Sequence, residues 1–126
     1  MSKVMVVPCS GIGKVFGLIA REVALEAGKQ ENAENICLAH IVTGDDEAVK
    51  RIKDQPCIAI DGCAKKCAAK ACEHAGGKVE MSYLTMSAMK NHRGALPGSG
   101  TTLSEDGWQI VDEMTKEVKE SINQIS

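Results

Sequence analysis

The sequence predicts an α/β fold: a three-layer, Rossmann-like domain with a mostly parallel sheet of about four strands and helices on both faces. Three observations carry this expectation. The short runs at residues 3–7 and 57–60 are almost continuously apolar, as strands buried on both faces are. The segments between them repeat their apolar residues at helical spacing. Glycine, proline or capping residues mark the junctions, so strands and helices alternate as they do in βαβ units.

Residues 3–7 make the first strand, and Pro8-Cys9-Ser10-Gly11-Ile12-Gly13 a glycine-bearing turn. Ile12, Val15, Phe16, Ile19, Ala20, Val23, Ala24 and Ala27 then recur on one helical face, and Gly28 stops that helix. Residues 35–42 read as a second strand whose exit can come as early as Cys37. The run Thr43-Gly44-Asp45-Asp46 offers an N-cap for a short helix over 46–53, with Val49 and Ile52 inward. Pro56 ends it and residues 57–60 form the third strand. Asp61-Gly62-Cys63 is the turn into a helix over 64–75, which closes at Gly76-Gly77. Residues 79–85 alternate weakly as a fourth strand. Residues 86–101 give no clear pattern. Thr102-Leu103-Ser104-Glu105 has the spacing of a capping box. It opens a last helix with Val111, Met114, Val118, Ile122 and Ile125 on one stripe.

With 126 residues, 44% of them hydrophobic, the chain reads as one domain over 1–126 with a core of its own. A formal net charge of −2 argues against nucleic acid, whose phosphates need a cationic surface. No apolar run approaches a membrane span. The first eight residues are too short for a secretory apolar segment, so the expected location is cytoplasmic. A protein partner and the oligomeric state stay open. Six cysteines in such a compartment point to metal ligands or redox groups before disulfides, although any one alone reads as a small buried hydrophobe.

Their placement sharpens this. In open α/β sheets, sites form beyond the carboxyl ends of the strands. Cys9 follows the first strand, Cys63 the third, and Cys67 comes one helical turn after Cys63. Cys37 joins them if the second strand ends early. A strand order of 2-1-3 then brings Cys9, Cys37, Cys63 and Cys67 to one rim. Cys57 opens its strand and belongs at the other rim. Cys72 is rotated by about 140° from Cys67 on a helix, and serves as a reserve ligand only if Cys37 points into the core. His74 shares the Cys67 face but lies about 10 Å along the helix. Helix N-termini behind Cys9 and Cys63 favour thiolates. Lys14, Lys65, Lys66 and Lys70 can offset the charge of a four-thiolate centre. Asp61 can cap its helix or support a ligand from behind. All-sulfur ligation suits zinc or an iron–sulfur cluster.

Other motifs fail on spacing. Gly11-Ile12-Gly13-Lys14 lacks the first glycine of a Walker A, since Pro8 stands in its place. Phe16 occupies the third glycine position of a dinucleotide fingerprint. Arg21 is too far behind Cys9 for a phosphatase loop. Met81, Met86 and Met89 read as core packing or a flexible lid before soft ligands, and His92-Arg93 as a contact for an anionic ligand or a surface loop with no role.

Pro8-Cys9-Ser10-Gly11, Cys37-Leu38 and Ile60-Asp61-Gly62-Cys63 followed by Cys67-Ala68 resemble the DGC-domain proteins, small prokaryotic proteins named for their Asp-Gly-Cys motif. The resemblance runs from Val4 to about Gly76 and implies zinc held by Cys9, Cys37, Cys63 and Cys67. The expected function is metal binding in a handling, sensing or accessory role. The alternatives are a thiol redox or sulfur-transfer protein using Cys63 or Cys9, and an iron–sulfur protein. No general base pairs with a nucleophile, so no catalytic residue is assigned.

Overall fold

The computed structural model describes residues 3–9, 15–62, 65–99 and 102–125. Its elements in chain order are β1 (Val4–Pro8), α1 (Val15–Ala27), β2 (Ala33–Asn35), α2 (Leu38–Val42), α3 (Asp46–Ile52), β3 (Pro56–Asp61), α4 (Cys67–His74), β4 (Lys78–Leu84), a 3-10 helix (Thr85–Lys90) and α5 (Glu105–Ile125). The four strands form one sheet in the order β2-β1-β3-β4, and every pairing is parallel.

Alternation along the central strands divides the apolar residues between the two faces of the sheet. Val4 and Val6 of β1 and Ile58 and Ile60 of β3 pack with α1 and α5. Met5, Val7, Cys57 and Ala59 pack with α2, α3 and α4. α5 buries Ile110, Val111, Met114, Val118 and Ile122 along one stripe, and α1 buries Ile19, Ala20, Val23, Ala24 and Ala27. β4 is an edge strand with charged Lys78 and Glu80 exposed, and a register shift between Cys57 and Ile58 interrupts its pairing with β3. Such irregularity, with outward charge, blunts an open edge against pairing with other chains.

Two expectations need correction. The second strand was expected over 35–42, with an exit as early as Cys37, but β2 is Ala33–Asn35, ending before even that early exit, and Leu38–Val42 is helical. A strand continued to Val42 would place Ile36 and Ile41 on opposite faces. The turn into α2 lets both pack into the same cluster, leaving Val42 68% exposed. The cap of α5 is Ser104, not Thr102: the Ser104 hydroxyl accepts the Gly107 N–H at 3.2 Å. The illegible segment 86–101 begins inside the 3-10 helix and ends near an antiparallel bridge between Gly98 and Leu103. The expected start of α1 at Ile12 lies outside the described residues, as do Ser10, Gly11, Gly13 and Lys14. No helix among the described residues is long and apolar enough to cross a membrane.

Candidate functional site

The carboxyl rim of the sheet is tied together by backbone and buried polar groups. The Cys9 N–H donates to the Ile60 carbonyl at 2.8 Å, which extends the β1–β3 ladder one residue past β1. The Ile36 N–H likewise donates to Val6 at 3.2 Å, so the chain leaves β2 beside β1. In register, Val6 stands between Asn35 and Ile58. Cys9 is therefore three residues past that row on β1, and Cys37 two residues past it on β2.

Asp61 ends β3, is 1% exposed, and turns its carboxylate onto α4. One oxygen accepts the Ala68 N–H at 2.7 Å and the other the Ala69 N–H at 3.3 Å. This cap is delivered from six residues before the helix starts. The residue at the N-cap position, Lys66, has a left-handed backbone (φ 52°) and makes no side-chain cap. Asp61 thus supplies both the hydrogen bonds and the negative charge that a helix N-terminus needs.

Gly62 follows in the narrowest space of the rim. A Cβ there would meet the Gly17 nitrogen at 2.9 Å and the Phe16 carbonyl carbon at 3.0 Å, both backbone atoms of the first turn of α1. Buried Thr85, just past β4, donates to the Phe16 carbonyl at 2.8 Å and also contacts the Asp61 carbonyl at 3.4 Å. The exits of β3 and β4 and the start of α1 are therefore held as one unit.

Cys67 is the first residue of α4 and is exposed; Cys37 is the N-cap residue of α2 and is also exposed. Cys9 is half-buried against the α2–α4 face. These three stand at the carboxyl rim. Cys63 lies outside the described residues. Among the described residues, no three His, Cys, Asp or Glu side chains are grouped closely enough to hold a metal ion.

Cys57 is the second residue of β3, at the opposite end of the sheet, and Cys72 meets it there from α4; both are fully buried. The Cys57 thiol donates to the Gln55 carbonyl at 3.4 Å. The neighbouring Cys72 thiol holds Cys57 below the usual thiol range, against the effect of burial. The neighbouring Cys57, with burial, pushes Cys72 far above it. Since Cys37 is exposed and Cys72 is committed to Cys57, the condition for Cys72 as reserve ligand is not met. This pairing was not legible in the sequence: Cys72 reaches Cys57 only because α4 runs back over β3.

A family model for the DGC domain matches residues 5–121. The chain belongs to the DGC-domain family. The Asp-Gly-Cys motif that names it falls at 61–63, where Asp61 caps α4 and Gly62 clears the backbone of α1. The family match also takes in β4 and most of α5, well beyond the stretch at the front of the chain that carried the resemblance. No curated protein and no solved structure matches the chain.

Proposed function

We propose that this DGC-domain protein binds one metal ion, zinc, through Cys9, Cys37, Cys63 and Cys67, in a metal-handling, sensing or accessory role in the cytoplasm. The observation that carries the reading is the arrival of three separate crossings, after β1, after β2 and at the start of α4, at one rim of the sheet. Thiolates are the donors that zinc prefers among oxygen, nitrogen and sulfur ligands in closed four-coordinate sites. Cys9, Cys37 and Cys67 alone do not form a three-donor group. The reading therefore requires Cys63, and requires the exposed Cys37 and Cys67 side chains to turn inward when metal binds.

Elemental analysis and anaerobic absorption spectra of untagged protein test it. The expected result is about one zinc per chain and no visible band. Cys63→Ser and Cys67→Ser should each lose most of that zinc. Cys57→Ser should keep it while losing stability, because it puts a hydroxyl into the core. If Cys67→Ser leaves both bound metal and thermal stability unchanged, the site is wrong. A brown protein would favour an iron–sulfur cluster, and a metal-free protein with one fast-alkylating thiol would favour thiol chemistry.

A further inference from the structure

One surface feature is not absorbed by the metal reading. A groove of about 720 Å³ runs between α4 and the connection from α2 to α3. That volume lies within the roughly 300–1,000 Å³ typical of small-molecule sites. One side of it is a single face of α4, carrying Cys67, Lys70 and His74 at helical spacing. The other side is aliphatic, formed by Ile41, Val42 and Val49. Val42 is 68% exposed, a branched apolar side chain held in water at the lip of the groove.

The charge of the lining has one sign. Lys70 and His74 are the ionisable nitrogen groups in it, and no carboxylate lines it. The acidic residues nearest along the chain are Asp45, which accepts the Ala48 N–H at 3.2 Å as the cap of α3, and Glu73, next to His74 on α4, which does not line the groove. Along α4, Cys67 and His74 are separated by about 10 Å of helical rise, with Lys70 between them. The groove therefore offers an apolar wall facing a row of donors.

We propose that this groove binds a small anionic molecule with an apolar body, its hydrocarbon or aromatic part against Ile41, Val42 and Val49 and its anion on Lys70 and His74. Burial of Val42 and of the ligand's apolar surface supplies the non-directional part of the affinity. The Lys70 ammonium supplies the preference for an anion. The site stands independently of bound metal, although Cys67 places one end of it beside the proposed zinc ligands.

The test uses the full chain and two probes. Anilinonaphthalene sulfonate should bind saturably, one per chain, with enhanced blue-shifted emission. Octanoate should displace it and octylamine should not. Lys70→Glu and Val42→Asp should each weaken binding by about tenfold or more, the loss of one charge-assisted contact or of the apolar wall. Trp108→Ser, which alters an exposed aromatic elsewhere, should leave binding unchanged. Non-saturating emission, equal displacement by octylamine, or binding indifferent to Val42→Asp would overturn the proposal. Zinc content, measured on the same samples, should be unaltered in Val42→Asp, so the groove and the metal site can fail separately.

Discussion

At the scale of single residues, Asp61 has the clearest role. A carboxylate that is almost fully buried normally carries a large desolvation cost unless charge-assisted bonds compensate it. Here two backbone N–H groups at the start of α4 do so, where the helix dipole also favours negative charge. Asn at this position keeps one acceptor oxygen, loses the charge, and aims an NH2 group at a backbone donor. Asp61→Asn should therefore cost about 1–2 kcal/mol, the range for losing a helix cap with a charged hydrogen bond. A urea titration should show a lower midpoint with an unchanged slope. An unchanged midpoint would mean that α4 does not depend on Asp61. The substitution should weaken metal binding only indirectly, through the position of Cys67 in the first turn of α4.

At the scale of elements, legibility followed burial. β1, β3, α1 and α5 were readable because nearly all their apolar residues are buried in the clusters on the two faces of the sheet, so pattern and structure coincide. β2 and α2 were not. Only three residues of β2 pair with β1, and α2 is a five-residue helix whose nearly continuous apolar run buries only Ile41, so that run reads as a strand. The rim position of Cys9 followed from counting strand exits. The exposed N-cap position of Cys37 depended on the bend that the pattern concealed. The close approach of Gly62 to α1 was also invisible in the sequence, which showed a glycine in a turn but not what faced it. A methyl group there meets backbone on α1 rather than a side chain that could swing aside. Gly62→Ala should thus separate the β3–α4 turn from α1 and destabilise the protein by about 1–3 kcal/mol, as overpacking does. Thermal unfolding of the variant beside wild type is the direct measurement, and an equal melting temperature would show that the turn can shift without cost.

At the scale of the whole molecule, the two apolar clusters and the carboxyl rim divide the work. Each face of the sheet has its own buried cluster, and neither depends on Cys37 or Cys67, which are exposed. The protein should therefore remain folded without metal, unlike a zinc finger, whose small core collapses when the ion leaves. Metal at the rim would still stabilise the folded chain by linkage, because it joins segments from three crossings that separate on unfolding. With free zinc held at a hundred times its dissociation constant, the gain is about 2.7 kcal/mol. For a chain of this length that corresponds to a rise in melting temperature of roughly 10 °C. Excess chelator should remove that increment while leaving the far-UV circular dichroism at 25 °C unchanged. Cys67→Ser should melt near the chelated wild type and show little response to chelator. Loss of helical signal on chelation would mean that the rim, and not the two clusters, organises the fold; a melting temperature indifferent to zinc and chelator would mean that no ion bridges these segments.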